Sequence, residues 1–168
     1  MSVTPSFTYK GFTLSALFDM KFGGDVVSVS EAIATSHGIS KRTEQRGELL
    51  LPGMNEDGTV NTQRIDAQLF YQAVGGRQQA VAEEFVYNAS FIRLKEISFG
   101  YSFPSLLLRK TPVSSLRVSF VGRNLAYLMK HTPGTSPEGG YDTSMFSQAL
   151  DFSSLPYSRT FGFSINVG

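Results

Sequence analysis

A strict alternation of apolar and polar residues across residues 11–23 constrains this chain more than any other feature of its sequence. Every even position from Phe12 to Phe22 is apolar, and the odd positions between them are polar or charged except for Leu17. A period of two predicts a β-strand whose two faces meet different surroundings. Strands of soluble domains usually run about 5–6 residues, whereas a strand that crosses a membrane at a tilt needs about 9–11. The length of this segment therefore favours a transmembrane strand.

The same alternation predicts three further strands, at residues 91–103, 115–129 and 158–168. Pro104 ends the second of these, because proline has no N–H to donate to a strand ladder. Residues 2–8 are predicted to be the tail of an earlier strand, joined to strand 11–23 by a turn at Tyr9-Lys10-Gly11. The chain therefore offers four or five antiparallel strands.

The segments between these strands alternate in length. Residues 24–90 and 130–157 lack the period of two and are rich in turn-forming residues, while the connection after Pro104 is short. Two parts of the first long segment, 27–36 and 67–73, are predicted to be helical. Long loops outside the cell and short turns in the periplasm are typical of an up-and-down membrane barrel. In that arrangement, strands 11–23 and 115–129 run outward and the other two run inward.

The predicted fold class is all-β, with antiparallel up-and-down transmembrane β-barrel strands and long extracellular loops. Charged residues make up 17% of the chain, below the roughly 25% usual for soluble domains. The smallest barrels have about eight strands, so we expect this chain to be the C-terminal segment of a larger barrel in a bacterial outer membrane. The net charge of +1 provides no electrostatic reason to expect nucleic acid as a partner.

Five motifs, in order, resemble the C-terminal strands of the SusC/RagA family of TonB-linked outer-membrane transporters. They are Tyr9-Lys10-Gly11-Phe12 with Phe22-Gly23-Gly24-Asp25, the run Asn88-Ala89-Ser90-Phe91-Ile92-Arg93-Leu94 continuing to Pro104, the strand 117–125 with Asn124-Leu125, Pro137-Glu138, and the strand 156–163. Each motif alone is weak, but the five in this order are specific, and the resemblance extends over nearly the whole chain.

The resemblance implies a plug domain inside a 22-strand barrel, and neither the plug nor a TonB box is expected within these 168 residues. It implies import of glycan oligosaccharides or peptides, driven by the TonB complex and assisted by a SusD-like surface lipoprotein. Outer-membrane lipid would surround the strands. A transporter of this kind does no bond chemistry, so we expect no enzyme and no cofactor. Family barrels usually end in an aromatic residue, from which Gly168 departs.

Three tyrosines are the predicted substrate-binding residues: Tyr71, Tyr87 and Tyr141. All three lie in the predicted outer loops, where an aromatic ring could stack on a sugar ring or instead pack the loop itself. No residues are predicted to be catalytic. His37 and His131 lie in different loops of a chain without cysteine, so a metal site is not expected.

Several other features have both a structural and a functional interpretation. Arg93, Lys95 and Arg159 are predicted to share strand faces with lipid-facing aromatics near the outer membrane surface, where they could snorkel or meet lipopolysaccharide phosphates. Residues 55–58 (Asn-Glu-Asp-Gly) predict a turn rather than a calcium loop, which needs further spaced oxygen ligands. Residues 75–77 (Gly-Gly-Arg) lack the Lys-Ser/Thr of a phosphate loop.

The alternative function is that of a soluble β-sandwich carbohydrate-binding module. A sandwich also alternates along its strands, but its apolar faces pack against each other, and its strands and loops are shorter. The strand lengths and the unequal loops favour the membrane interpretation. An enzyme is the least supported function, since no candidate catalytic pair occurs in the sequence.

Overall fold

The structure is a computed structural model that describes residues 1–76, 80–109, 111–134, 136–138, 147 and 149–168. The chain forms two compact units. The sheet unit comprises Met1–Gly23, Ala89–His131 and Tyr157–Gly168, and the loop unit comprises Gly24–Asn88 and Thr132–Pro156. Of the helices in the described residues, none is long and apolar enough to span a bilayer.

The strands, in chain order, are β1 (Ser2–Val3), β2 (Ser6–Tyr9), β3 (Phe12–Lys21), β4 (Asp25–Ser28), β5 (Glu48–Leu50), β6 (Arg64–Asp66), β7 (Val86–Asn88), β8 (Phe91–Ser102), β9 (Leu116–Lys130), β10 (Leu150–Asp151) and β11 (Thr160–Val167). The α-helices are α1 (Val29–Ser36), α2 (Ala67–Val74) and α3 (Ser105–Leu108), and 3-10 helices cover Lys41–Thr43 and Ala82–Phe85.

The sheet unit is a six-stranded antiparallel sheet in the order β1-β3-β8-β9-β11, with β2 also paired to β3. Its three central strands have 10, 12 and 15 residues, which reaches or exceeds the length a tilted membrane strand needs. Successive long strands are neighbours throughout the sheet, as an up-and-down topology requires. The predicted mostly-β, antiparallel architecture is therefore confirmed.

The two short N-terminal strands act as one interrupted edge strand. Val3 pairs with Phe18 and Ser6 pairs with Ser15, so both strands keep the same register against β3. The interruption falls at Pro5, which has no N–H for the ladder; its carbonyl still accepts a hydrogen bond from the β3 backbone.

A two-residue turn joins this edge strand to β3. Tyr9 pairs with Phe12, and the two residues between them, Lys10 and Gly11, have φ values of 45° and 89°. Two positive φ angles are the signature of a type I′ hairpin turn. A side chain at Gly11 would also meet the carbonyl oxygen of Ser102 at 2.9 Å, so the close approach of β8 requires glycine here.

A β-bulge changes the phase of alternation in β8. Leu17 pairs with Glu96 and Phe18 pairs with Leu94, so Lys95 is the additional residue on β8. Side chains on the two sides of the bulge therefore alternate in opposite phase.

The bulge corrects one prediction from the sequence. Arg93 pairs with Asp19, whereas Phe99 pairs with Leu14, and these two pairs lie on opposite faces of β3 because Asp19 is odd and Leu14 is even. The prediction that Arg93 shares a face with Phe99 and Tyr101 is therefore wrong, although Arg93 does share a face with Phe91. An additional residue inside a strand inverts every side chain beyond it, and simple counting along the sequence does not reveal it.

The loop unit is folded rather than irregular. It contains a three-stranded sheet in the order β10-β4-β7, a β5-β6 hairpin, and helices α1 and α2. Ser28 caps α1 by accepting a hydrogen bond from the N–H of Glu31, and Asp66 caps α2. The predicted helices at 27–36 and 67–73 are confirmed, except that α1 begins at Val29 and residues 27 and 28 end β4. Its strands of two to four residues are too short to show a period of two, which is why the sequence pattern predicts no strand there.

Helices α1 and α2 approach closely where α2 ends. A side chain at Gly75 would meet the carbonyl oxygen of Ala32 and the nitrogen of Ser36, both at 2.7 Å. The N–H of Gly76 donates to the same Ala32 carbonyl at 2.9 Å. Gly75 therefore has a packing role, because any side chain there would collide with the backbone of α1.

Candidate functional site

One face of the sheet unit is apolar and exposed. Residues paired across an antiparallel sheet share a face, so the register assigns the members directly. The β3 members are Phe12, Leu14, Ala16, Phe18 and Met20; those of β8 are Ile92, Leu94, Ile97, Phe99 and Tyr101; those of β9 are Val118 and Phe120; and those of β11 are Phe161, Phe163 and Ile165.

This apolar face carries large side chains in contact with one another yet open to the surroundings. Phe99 is 49% exposed and Phe163 is 80% exposed. The rings of Phe12 and Phe99 stack at 5.8 Å, and those of Phe120 and Phe163 lie 5.4 Å apart. A contiguous apolar surface of this kind indicates contact with another apolar phase. A β-sandwich would bury such a face against a second sheet, so this exposure disfavours the soluble alternative.

The opposite face is mostly polar, small or charged, and it also carries the buried ring of Phe91. Its members are Thr13, Ser15, Leu17 and Asp19 of β3, Arg93, Glu96, Ser98 and Gly100 of β8, Ser119, Val121, Arg123 and Tyr127 of β9, and Thr160, Gly162 and Ser164 of β11. Among the acidic residues of the sheet unit, both Asp19 and Glu96 lie here.

Asp19 is the centre of a charge cluster on this polar face. Its Oδ2 lies 3.6 Å from Nη2 of Arg93 and 3.3 Å from Nζ of Lys95. Its Oδ1 accepts a hydrogen bond from the Ser2 hydroxyl at 3.0 Å. Lys95, predicted to share a face with lipid-facing aromatics, instead pairs with the Asp19 carboxylate from the bulge position.

Arg93 is the most buried charged group of this cluster, at 5% exposure. Its guanidinium lies 5.8 Å from the Tyr127 ring and 5.0 Å from the Tyr157 ring, within the range of cation–π attraction. Tyr157 precedes β11, so the arginine connects the last strand with β8 and β9. A second ion pair on the same face joins Arg123 to Glu96 at 2.8 Å.

A long antiparallel sheet with an apolar, aromatic outer face and a polar opposite face has the surface pattern of a transmembrane β-barrel wall. In such a wall the apolar side meets lipid and the polar side meets the lumen. This two-sided character defines the class of protein to which the sheet unit corresponds.

Comparison with known proteins agrees with this class. No family model matches the sequence. The chain is 29% identical, over 98% of its length, to TonB-dependent receptor P3 of Formosa agariphila, of which it spans 16%. Its structure matches that of the RagAB peptide importer in the open-open state with a TM-score of 0.63 and 19% identity, and that of the RagAB peptide transporter with a TM-score of 0.63 and 21% identity. The matches cover 99% and 98% of this chain and 16% of the RagAB chain in each case.

The resemblance to SusC/RagA-type, TonB-linked outer-membrane transporters is therefore confirmed, in sequence by the receptor and in fold by RagAB. The chain spans about one sixth of the length of these relatives. The relatives are a receptor and an importer rather than enzymes.

The loop unit holds Tyr87 in a cavity of about 730 Å³. Tyr87 comes from β7, and most of the remaining lining residues come from the segment 30–44, which contains α1 and the 3-10 helix that follows it. They include Glu31, Ile39, Lys41, Arg42, Glu44 and Glu84. The cavity therefore combines an aromatic ring, an apolar side chain and charges of both signs.

Arg42 organises the charged side of the Tyr87 cavity. Its Nη2 donates to Oε2 of Glu84 at 2.9 Å, and its guanidinium lies 5.0 Å from the ring of Phe85, which is 1% exposed. Burial raises the pKa of the Tyr87 hydroxyl, and the Glu31 carboxylate raises it further, while Arg42 acts in the opposite direction. Tyr87 therefore stays a neutral hydrogen-bonding phenol at physiological pH.

Tyr71 lies elsewhere in the loop unit, in a second cavity of about 600 Å³. Helix α2 supplies Tyr71, and Arg46 contributes to the wall by donating to the Gly38 carbonyl at 2.7 Å. The structure thus places Tyr71 and Tyr87 in separate cavities. Tyr141, the third predicted substrate-binding residue, lies outside the described residues.

The predicted turn at 55–58 has the hydrogen bonds of a turn. Oδ1 of Asp57 accepts from the N–H and the hydroxyl of Thr59 at 2.9 and 2.6 Å, and these bonds hold the pKa of Asp57 below its usual value. In the part of the chain that the structure describes, no three His, Asp or Glu side chains are grouped so that they could hold a metal ion.

Sequence reasoning missed Arg42 and Glu84 as cavity residues. They are 42 positions apart, and neither belongs to a motif. The side chain of Glu84 is half exposed. The pairing depends on how α1, β4 and β7 pack, which no local pattern encodes.

Proposed function

We propose that this chain forms part of the wall and outer loops of a TonB-dependent outer-membrane importer. The sheet unit is a C-terminal segment of a closed 22-strand, up-and-down barrel, and the segments 24–90 and 130–157 are its outer loops. The TonB complex and a SusD-like surface lipoprotein act through parts of the transporter outside this chain. The protein moves its ligand without bond chemistry.

The observation that carries this proposal is the opposite character of the two sheet faces. Ser98 and Phe99 are adjacent on β8, yet Phe99 belongs to the exposed aromatic surface, while Ser98 lies on the charged surface with Asp19 and Arg93. A wall between lipid and a polar lumen gives both faces suitable surroundings. The similarity to a TonB-dependent receptor and to RagAB supports the same function.

The imported ligand is an oligosaccharide or a peptide, and we propose that Tyr71, Tyr87 and Tyr141 contact it. The Tyr87 cavity favours a peptide, because Lys41, Arg42, Glu44 and Glu84 present both signs of charge to a ligand that itself carries both signs. The RagAB structures, which are those of a peptide importer, support the same choice. Stacking on Tyr71 and Tyr87 remains compatible with a sugar ring.

The membrane placement is tested by labelling adjacent positions of β8. In the full-length transporter with any other cysteines removed, Phe99→Cys and Ser98→Cys variants are labelled with an environment-sensitive fluorophore and placed in nanodiscs containing brominated phospholipid. The label at position 99 should be quenched by bromine and the label at position 98 should not. Equal quenching at both positions would refute the wall assignment.

Transport itself is tested by uptake in whole cells. Cells that express the full-length protein should accumulate fluorescent oligopeptides, and accumulation should stop when TonB is deleted or when the proton gradient is collapsed. A parallel assay with labelled oligosaccharides distinguishes the two ligand classes. Uptake that persists without TonB would show a passive pore instead.

A further inference from the structure

The chain as a whole is nearly neutral, but its two units carry large net charges of opposite sign. The sheet unit contains ten Lys and Arg residues and two Asp and Glu residues, a difference of +8. The loop unit contains five basic and twelve acidic residues, a difference of −7. Since both acidic residues of the sheet unit lie on its polar face, the rest of this unit is basic or neutral.

Part of this positive charge lies at the end of the sheet that carries the short connections between strands. The turn at Lys10-Gly11 adjoins the end of β8, where the Gly11 carbonyl accepts a hydrogen bond from the Ser102 N–H at 2.8 Å. Helix α3 begins three residues later, at Ser105. No Asp or Glu occurs anywhere in residues 1–18 or 97–137.

Helix α3 exposes leucines beside a cation. Leu106 is 68% exposed and Leu107 is 66% exposed, and the exposed Arg109 follows directly after the helix. In an aqueous loop, two adjacent leucines at this exposure are unfavourable, because their burial would release about 2 kcal/mol per side chain. Their exposure beside Arg109 suits the boundary between hydrocarbon and headgroups.

Aromatic residues complete this end of the apolar face. The rings of Tyr101 and Phe103 lie 5.0 Å apart, and Phe12 lies 4.5 Å from Tyr101. In the turn itself, Nζ of Lys10 lies 5.2 Å from the Tyr9 ring. Aromatic rings with adjacent cations are the side chains found where a membrane meets water.

We propose that Lys10, Leu106, Leu107 and Arg109 form a basic collar that binds anionic phospholipid headgroups at the short-turn side of the membrane. The leucines enter the outer part of the acyl chains, while Lys10 and Arg109 contact the headgroup phosphates. Charge complementarity and continuity with the apolar sheet face single out anionic lipid as the occupant. This inference rests on the proposed membrane function.

The test measures which lipid lies next to α3 in the full-length transporter. A Leu107→Cys variant carrying an environment-sensitive fluorophore is placed in nanodiscs with equal mole fractions of phosphatidylglycerol and phosphatidylcholine, only one of which is brominated in each sample. Brominated phosphatidylglycerol should quench about threefold more strongly or better. The preference should disappear in a Lys10→Gln/Arg109→Gln background.

A matched control removes the same charge elsewhere. Lys21→Gln/Arg64→Gln should keep the preference, because neither residue lies at the short-turn end. Equal quenching by the two lipids would overturn the proposal. Absence of quenching at position 107, with quenching retained at position 99, would also overturn it and would indicate a partner in the aqueous phase. If position 99 is not quenched either, the membrane function itself fails.

Discussion

Asp19 of β3 and Arg93 of β8 are paired on the sheet face opposite Phe99, with Oδ2 of the aspartate 3.6 Å from Nη2 of the arginine. This pair exists because the bulge at Lys95 inverts the remainder of β8. Without the bulge, the arginine would stand on the aromatic face, where a cation would meet lipid near the membrane surface instead of a carboxylate. One additional residue thus directs a charge from the lipid side to the polar side.

Asp19→Asn should destabilise the sheet unit markedly. Arg93 is 5% exposed, and removing one partner of a buried pair costs about 3 kcal/mol. The midpoint temperature for loss of the folded, fast-migrating band on heat-modifiability gels should fall. As a control, Glu48→Gln disrupts an ion pair whose side chains are 67% and 65% exposed and should change stability by less than about 1 kcal/mol. Equal midpoints for both variants would contradict the role of the Asp19 cluster.

A charge introduced at Phe99 should impair membrane insertion, whereas one at Ser98 should be tolerated better. Phe99→Arg places a guanidinium on the apolar face at a cost of about 2–4 kcal/mol, while Ser98→Arg adds it to a face that already carries Arg93 and Arg123. Folded protein in purified outer membranes, quantified by heat modifiability, measures the difference. A larger loss for Ser98→Arg would mean that the faces are assigned the wrong way round.

Gly75→Ala should loosen the packing of α1 on α2. The new methyl group would lie 2.7 Å from two backbone atoms, and overpacking of this kind costs about 1–3 kcal/mol. Protease treatment of intact cells should cleave the loop unit faster. Gly53→Ala is the control, since nothing lies within 4 Å of the added carbon. Similar cleavage rates for both variants would show that the close approach of the helices is not required.

Tyr87 should ionise only at a pH above the usual tyrosine pKa of 10.0, because burial and Glu31 raise its pKa. The folded protein then holds the phenolic proton more tightly than the unfolded chain. The contribution of this raised pKa to the free energy of unfolding is fully present below pH 10 and is lost as the pH rises through the raised pKa. The difference in tyrosinate absorbance between the wild type and Tyr87→Phe gives the midpoint, and a midpoint below the usual value would contradict the buried setting.

The sheet could be predicted from sequence because its signal is local and repeated. In Phe12–Lys21 and in Thr160–Val167, the position of a residue in the strand is enough to predict the face of its side chain. Successive residues of a strand point to opposite sides of the sheet. The Lys10-Gly11 turn and Pro5 also act locally, through positive φ angles and a missing N–H. The caps at Ser28 and Asp66 belong to the same category.

The loop unit and its cavities could not be predicted in the same way. Strands such as Leu150–Asp151 have only two residues, so no periodicity develops. Asp151 accepts a hydrogen bond from Ser28, 123 positions away, and Arg42 reaches Glu84 across 42. Contacts between such distant positions follow from packing rather than from any pattern within a window of sequence.

By itself the sequence determined the strand-forming segments, the separation of long and short connections, and a two-faced wall suited to a membrane. The tertiary structure decided which face each charge occupies and which distant side chains share a cavity. The physical reason is that alternation is a property of consecutive residues. The bulge at Lys95 and the placement of Tyr71 and Tyr87 in separate cavities arise only when strands and helices pack against one another.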